Sequence, residues 1–162
     1  MSFGYGKKPK KCRNCGKSVY LIATFQARAS YTGDAFMYAS LYLFKEKFGL
    51  DVKPTSVATR LYDLELGHDV VIEAKGSALS IINPDGSKTK LGRAGMSRTD
   101  TKKKAFANAE EWRERVPAGA FYIITNSLPN SLLAYHSDTV TGIYDVTKKI
   151  QLDKFVSEVR PT

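Results

Sequence analysis

Hydrophobic positions first settle into a helical rhythm near the end of the first third of the chain. Met37, Leu41, Phe44 and Phe48 recur at intervals of three and four, the spacing that builds one apolar face of a helix. A helix from about Asp34 to Phe48 is predicted, with Thr32 or Asp34 as its cap and Gly49 as its stop. The pattern then changes. Val57 to Leu66 is rich in β-branched and aromatic residues, Gly67-His68 turns the chain, and Asp69 to Lys75 (DVVIEAK) reads as a buried strand. Together they predict a β-hairpin. A second hairpin is expected to join Ile81-Ile82 to Lys88–Leu91 through Asn83-Pro84-Asp85-Gly86.

Helical spacing returns from about Thr101 to Arg115, with Ala105, Ala109 and Trp112 as the apolar stripe, Thr99 or Asp100 as cap and Pro117 and Gly119 at the end. Ala120–Thr125 (AFYIIT) predicts a short apolar strand. A last strand falls on either Leu132–Tyr135 or Gly142–Tyr144, and a helix from about Thr147 to Val159 buries Leu152, Phe155, Val156 and Val159. Ser18 to Arg28 has no periodicity that decides between strand and helix. The order of elements predicts a mixed α/β domain built on a central sheet. Its 162 residues suit one hydrophobic core. We divide the chain into a basic arm, residues 1–29, and a single domain, residues 30–162.

Charge sharpens this picture. The net charge is +9, and no acid precedes Asp34, whereas Lys7, Lys8, Lys10, Lys11, Arg13, Lys17 and Arg28 do. That excess favours a polyanion, of which nucleic acid is the commonest. Anionic membrane surfaces have the same sign, but no apolar run is long enough to cross a bilayer. The N-terminus lacks the apolar stretch of a signal peptide, so an intracellular, cytoplasmic protein that is not secreted is expected. The arm holds the only two cysteines, Cys12 and Cys15. Their Cys-x-x-Cys spacing is half of a zinc ribbon. The only histidines, His68 and His136, lie far off in sequence. The pair is open to four readings: free thiols, a redox couple, zinc completed by distant histidines, or zinc shared between two subunits. Phosphate-binding GxxxxGK[ST] and GxGxxG loops are absent from the sequence.

The chemistry concentrates in Arg60–Ser77 (RLYDLELGHDVVIEAKGS). Val70, Val71, Ile72 and Ala74 suit the middle of a sheet, whereas Glu73 and Lys75 are costly there unless paired or bound to metal. Residues two apart share a face, roughly 7 Å apart. Antiparallel pairing of the preceding strand brings Asp63 to the same face. Two carboxylates and a lysine make a coherent hydrolytic site for Mg²⁺ or Mn²⁺, which take oxygen ligands. The Ala74 carbonyl is a further candidate ligand, and Lys75 would orient water or offset charge at phosphorus. Asp69 is expected roughly 13 Å from Glu73, too far to share an ion. Glu65 replaces Asp63 only if the register shifts. On an exposed strand, the same three residues would be a surface ion-pair cluster contributing about 0–1 kcal/mol.

These residues resemble the PD-(D/E)xK nuclease superfamily, which includes restriction endonucleases and archaeal Holliday-junction resolvases. Glu73-Ala74-Lys75 matches the (D/E)xK element, and Asp63, ten residues earlier, the upstream acid. The resemblance runs from about Thr32 to Asn126, with a helix before the hairpin and a basic helix and apolar strand after it. It implies a restriction endonuclease-like core, a central mixed sheet flanked by helices, and a metal-dependent deoxyribonuclease with little sequence specificity. Tyr62 stands where the family's proline is expected. Asp34, or Glu46, would have to supply the first-helix acid, and Lys102, Lys103 or Lys104 the polar group of the later helix. DNA is the implied partner, held by Lys7, Lys8, Lys10, Lys11 and Arg13 on one side and Arg98, Lys102, Lys103 and Lys104 on the other. A homodimer also follows where two strands are cut. The alternative function is a non-catalytic nucleic-acid-binding protein whose arm is a zinc knuckle.

Overall fold

The computed structural model describes residues 10–11, 18–19, 25–56, 61–82, 86–90, 93–133, 135 and 137–160. A minimal ribbon, β1 (Lys10–Lys11) against β2 (Ser18–Val19), precedes the long helix α1 (Phe25–Phe48). Then come β3 (Val52–Pro54), β4 (Leu64–Leu66), β5 (Val70–Lys75), β6 (Ser80–Ile82), β7 (Lys88–Lys90), α2 (Thr99–Arg115), β8 (Ala120–Thr125), β9 (Gly142–Asp145) and α3 (Lys149–Val159). Five strands form one mixed sheet in the order β3-β4-β5-β8-β9. The β3-β4 and β4-β5 pairs are antiparallel, while β5-β8 and β8-β9 are parallel. The β6-β7 hairpin stands apart as its own two-stranded sheet.

Alternation along the strands divides the core in two. Ile72, Ala74, Tyr122, Ile124 and Tyr144 point to one face, packed by Phe44 of α1 and Phe155, Val156 and Val159 of α3. Val71, Phe121, Ile123 and Ile143 point to the other, packed by Ala105, Ala109 and Trp112 of α2. Helices therefore cover both faces, as a partly parallel sheet requires. Trp112 is a core residue, with the Tyr62 ring edge-on at 5.2 Å. No helix among the described residues is long and apolar enough to cross a membrane.

Several boundaries differ from the sequence expectation. Helix α1 begins at Phe25 and passes through Gly33, so Thr32 and Asp34 lie inside it and cap nothing; residues 25–29 of the arm belong to the helix. Its far end is as expected. Gly49 has φ +66°, and its N–H donates to the Lys45 carbonyl at 3.0 Å, a left-handed helix cap. The α2 N-cap is Arg98 without a side-chain cap bond, and Asp100 instead accepts from the Arg98 guanidinium. Strand β3 was not anticipated, because a three-residue edge strand has too little pattern to read. Of the two choices for the last strand, Gly142–Asp145 is the strand; Leu132 ends a 3₁₀ turn.

Candidate functional site

Strand β4 is three residues long rather than the ten expected; Leu61, Tyr62 and Asp63 precede it outside the ladder, and residues 57–60 lie outside the described residues. That shortening builds the site. β4 pairs with β5 only over Val70–Ile72, so β5 outruns it by Glu73, Ala74 and Lys75. The Ala74 N–H on that side has no strand carbonyl to meet, and a buried unpaired donor is costly. The Asp63 carboxylate accepts it, with Oδ2 2.7 Å away. Continuing the Leu64↔Ile72 register puts Asp63 opposite Glu73, on the α2 face of the sheet. Glu65 falls opposite Val71 and lines a separate depression with Asp51 and His68. It does not take the place of Asp63. Asp69 sits before β5, at its opposite end, where its carbonyl accepts from Ala120.

Glu73 is only 2% exposed and Lys75 is 16% exposed by side chain, and the two form an ion pair. An exposed-face cluster is thereby ruled out for Glu73. Burial is the chief cause of its altered acidity, and the nearby Asp63 carboxylate adds to it; the Lys75 ammonium opposes both. The Glu73 carboxyl is pushed up from 4.5 to about 7. A carboxylate this far from water, beside a second carboxylate, is a group whose charged form lacks sufficient compensation from the protein alone. Asn108, which the sequence reading overlooked, supplies part of it. From α2 its Nδ2 donates to Glu73 Oε1 at 3.0 Å. The available signal was weak: an Asn in mid-helix is unfavourable, and Thr101, Lys104 and Asn108 fall on one face at three- and four-residue spacing.

A cavity of about 340 Å³ opens over Asp63, Ala74 and Lys75. Gly33 and Asp34 of α1 line one side, Arg98, Thr101 and Lys104 of the α2 start the other. The structure thus brings Asp34, Asp63, Lys75, Arg98 and Lys104 to one cleft, with Glu73 beneath it. Glu46 is exposed in the last turn of α1, about 18 Å further along the helix from Asp34. Of the three consecutive lysines, Lys104 reaches the cleft; Lys102 and Lys103 are not among its lining residues. The β1 backbone includes Lys10 and Lys11, while Lys7, Lys8, Arg13, Cys12 and Cys15 lie outside the described residues.

The floor is held by hydrogen bonds around the ends of β5 and β8. Thr125 Oγ1 donates to the Lys75 carbonyl at 2.7 Å and accepts from Met96 N–H at 3.3 Å. Asn126 exchanges two bonds with the Ser77 backbone, and Ser77 Oγ accepts from Gly95 N–H. Two glycines are required there. A Cβ at Gly76 would lie 2.0 Å from the Phe36 ring, and one at Gly95, whose φ is +48°, 2.3 Å from Thr125 Oγ1.

The residues present fit a hard divalent cation in donor type. Two adjacent carboxylates offer oxygen, and the Ala74 carbonyl lies on the same side of β5 as the N–H that Asp63 accepts. Among the described residues no three of His, Cys, Asp and Glu come together around one point, so Asp34 does not join the pair directly. Mg²⁺ is commonly held by one or two carboxylates, with water and substrate phosphate completing its shell. No protein-family model matches this chain, and no curated protein or solved structure matches it significantly.

Proposed function

We propose that the chain is a metal-dependent nuclease that hydrolyses phosphodiester bonds in DNA with little sequence reading, on a restriction endonuclease-like core. The observation that carries this reading is Glu73: a buried carboxyl beneath an open cleft, flanked on the same sheet face by Asp63 and Lys75. The succession of helix, antiparallel strands, helix and parallel strand supports the same reading, as does the +9 net charge.

Asp63 and Glu73 would hold Mg²⁺ or Mn²⁺. When bound, such an ion polarises the scissile phosphate, neutralises developing charge and makes water a stronger nucleophile. Lys75 places an ammonium at the cleft floor, where it orients an attacking water or offsets negative charge gathering on phosphorus. Asn108 fixes the rotamer of Glu73, and Arg98 and Lys104 at the rim position the phosphate backbone. The test is cleavage of linear, circular and four-way-junction DNA with Mg²⁺ or Mn²⁺ by wild type and Glu73→Gln. Metal-dependent cutting by wild type, lost in the variant while DNA binding survives, is the expected result. Binding without cutting by wild type on all three substrates would refute catalysis.

A further inference from the structure

We propose that the β6-β7 hairpin is a DNA-gripping arm that lays its basic face on the phosphate backbone of a duplex beside the cleft. The inference rests on the nuclease reading for its choice of DNA as partner. The hairpin is inserted between two parts of the site. It leaves β5 through Gly76 and Ser77 and returns at Gly95, and all three residues line the cleft. A ribbon rooted at both ends in the cleft wall stands next to whatever fills the cleft. Ser77 and Gly95 are joined at that root by a 2.9 Å hydrogen bond.

The charge of the ribbon is one-sided. Between Gly76 and Thr99 the sequence holds Lys88, Lys90, Arg93 and Arg98 against the single acid Asp85. Lys88 and Lys90 are two apart on β7, so they point to the same face, and both are exposed, as is Arg93. None of these three joins an ion pair among the described residues, whereas Arg98 at the cleft is engaged by Asp100. Elsewhere the exposed cations of α3 have carboxylates in reach: Lys149 meets Asp153 and Lys154 meets Glu158. Exposed cations that join no ion pair among the described residues, on an antiparallel ribbon continuous with the cleft proposed to take phosphate, complement a duplex backbone. Each cation that meets a phosphate releases counterion, and its signature is the salt dependence of binding.

The test compares two double variants of equal net charge, K88A/K90A on the hairpin and K45A/K47A in the last turn of α1. Lys45 and Lys47 are also exposed, but lie roughly 12–15 Å along α1 from Met37, the nearest residue of that helix to line the cleft, beyond a Debye length of about 10 Å. Binding of a labelled duplex is followed by anisotropy in EDTA across a salt series. The hairpin variant is expected to flatten the slope of log K against log salt by about 1.8, or about 0.9 per lysine, and the α1 variant to leave it unchanged. An equal slope in wild type and the hairpin variant, an equal change in both variants, or loss of binding to anionic phosphatidylserine vesicles with duplex binding intact would each overturn the proposal. Because the measurement needs no cleavage, a flattened slope with an inactive wild type rejects the nuclease while keeping the arm, and normal cleavage with an unchanged slope does the reverse.

Discussion

Replacing Glu73 with Gln keeps the shape of the side chain and removes one ionisation. In the folded chain burial pushes the Glu73 carboxyl up to about 7, against its ordinary value of 4.5. A difference of that size makes ionised Glu73 about 3 kcal/mol less favourable in the fold than in the unfolded chain. Between these two values the folded protein keeps a proton that the unfolded chain has lost. Stability contributed by this group is therefore greatest below pH 4.5, falls as pH rises to about 7, and is level beyond. The attraction of Lys75 is already among the causes of the shift and needs no separate correction. In metal-free buffer, Glu73→Gln is thus expected to match wild type at about pH 4.5 and to exceed it by about 3 kcal/mol at pH 8. For a chain of this length that corresponds to roughly 6–12 °C in Tm. Saturating Mg²⁺ should close the gap from the wild-type side, by about 2.7 kcal/mol at a hundredfold excess over Kd, and leave the variant unmoved. Urea or thermal unfolding at pH 5 and pH 8, with EDTA or Mg²⁺, reads all four states. A gap that is the same at both pH values, or a variant less stable than wild type at pH 8, refutes the reasoning.

Three further outcomes follow from the same geometry. Lys75→Met should lower cleavage at least ~100-fold, as loss of one preorganised electrostatic group does, while duplex binding in EDTA stays within about threefold as judged by anisotropy, since only one of many phosphate-facing cations is removed. Asn108→Ala removes the donor to Glu73; it should cost about 1 kcal/mol of stability and raise the Mg²⁺ concentration for half-maximal cleavage about 10- to 100-fold, with Asn108→Gln restoring part of the loss. Gly95→Ala should destabilise the fold by at least about 1–2 kcal/mol, the cost of a left-handed residue with a Cβ, and by more for its encounter with Thr125 Oγ1; an unfolding midpoint equal to wild type would contradict it.

Long elements with a strong period were legible in the sequence: the body of α1, α2, β5, β8 and α3. So was the charged pair in β5, because Glu73 and Lys75 interrupt an apolar run where charge is costly. What was not legible depends on contacts between distant segments. The start of α1 was placed nine residues late because Gly33 looked like a boundary, yet a helix of 24 residues accommodates one glycine at about 1 kcal/mol. Asp63 was expected on the Glu73 face from the hairpin pairing and lies there, but its place just outside a three-residue β4, with its carboxylate on the Ala74 N–H, was not readable from the pattern. Asn108 could not be found by spacing from the triplet, since 35 residues separate it from Glu73. The choice of Lys104 over Lys102 and Lys103 likewise rests on which side of α2 faces the cleft, set by the packing of Ala105, Ala109 and Trp112 against the sheet.

The position of the site has a topological cause. β5 is the strand at which the sheet changes hands, antiparallel to β4 on one side and parallel to β8 on the other. The chain reaches β8 from β5 by way of α2, whereas it reaches β5 from β4 by a tight turn at Gly67. The hairpin side can therefore stop early, and the crossover side cannot, since β5 and β8 stay paired through Lys75↔Thr125. The result is a strand end with one edge fully paired and the other open by three residues. Polar backbone left on the open edge demands a partner, and Asp63 fills that need for Ala74. The same opening lies over the buried Glu73 and, on the proposed reading, is where a cation and a phosphate would reach it. Extending β4 to pair with Glu73 and Ala74 would satisfy the backbone without Asp63 and close the cleft, so the short strand is itself part of the site.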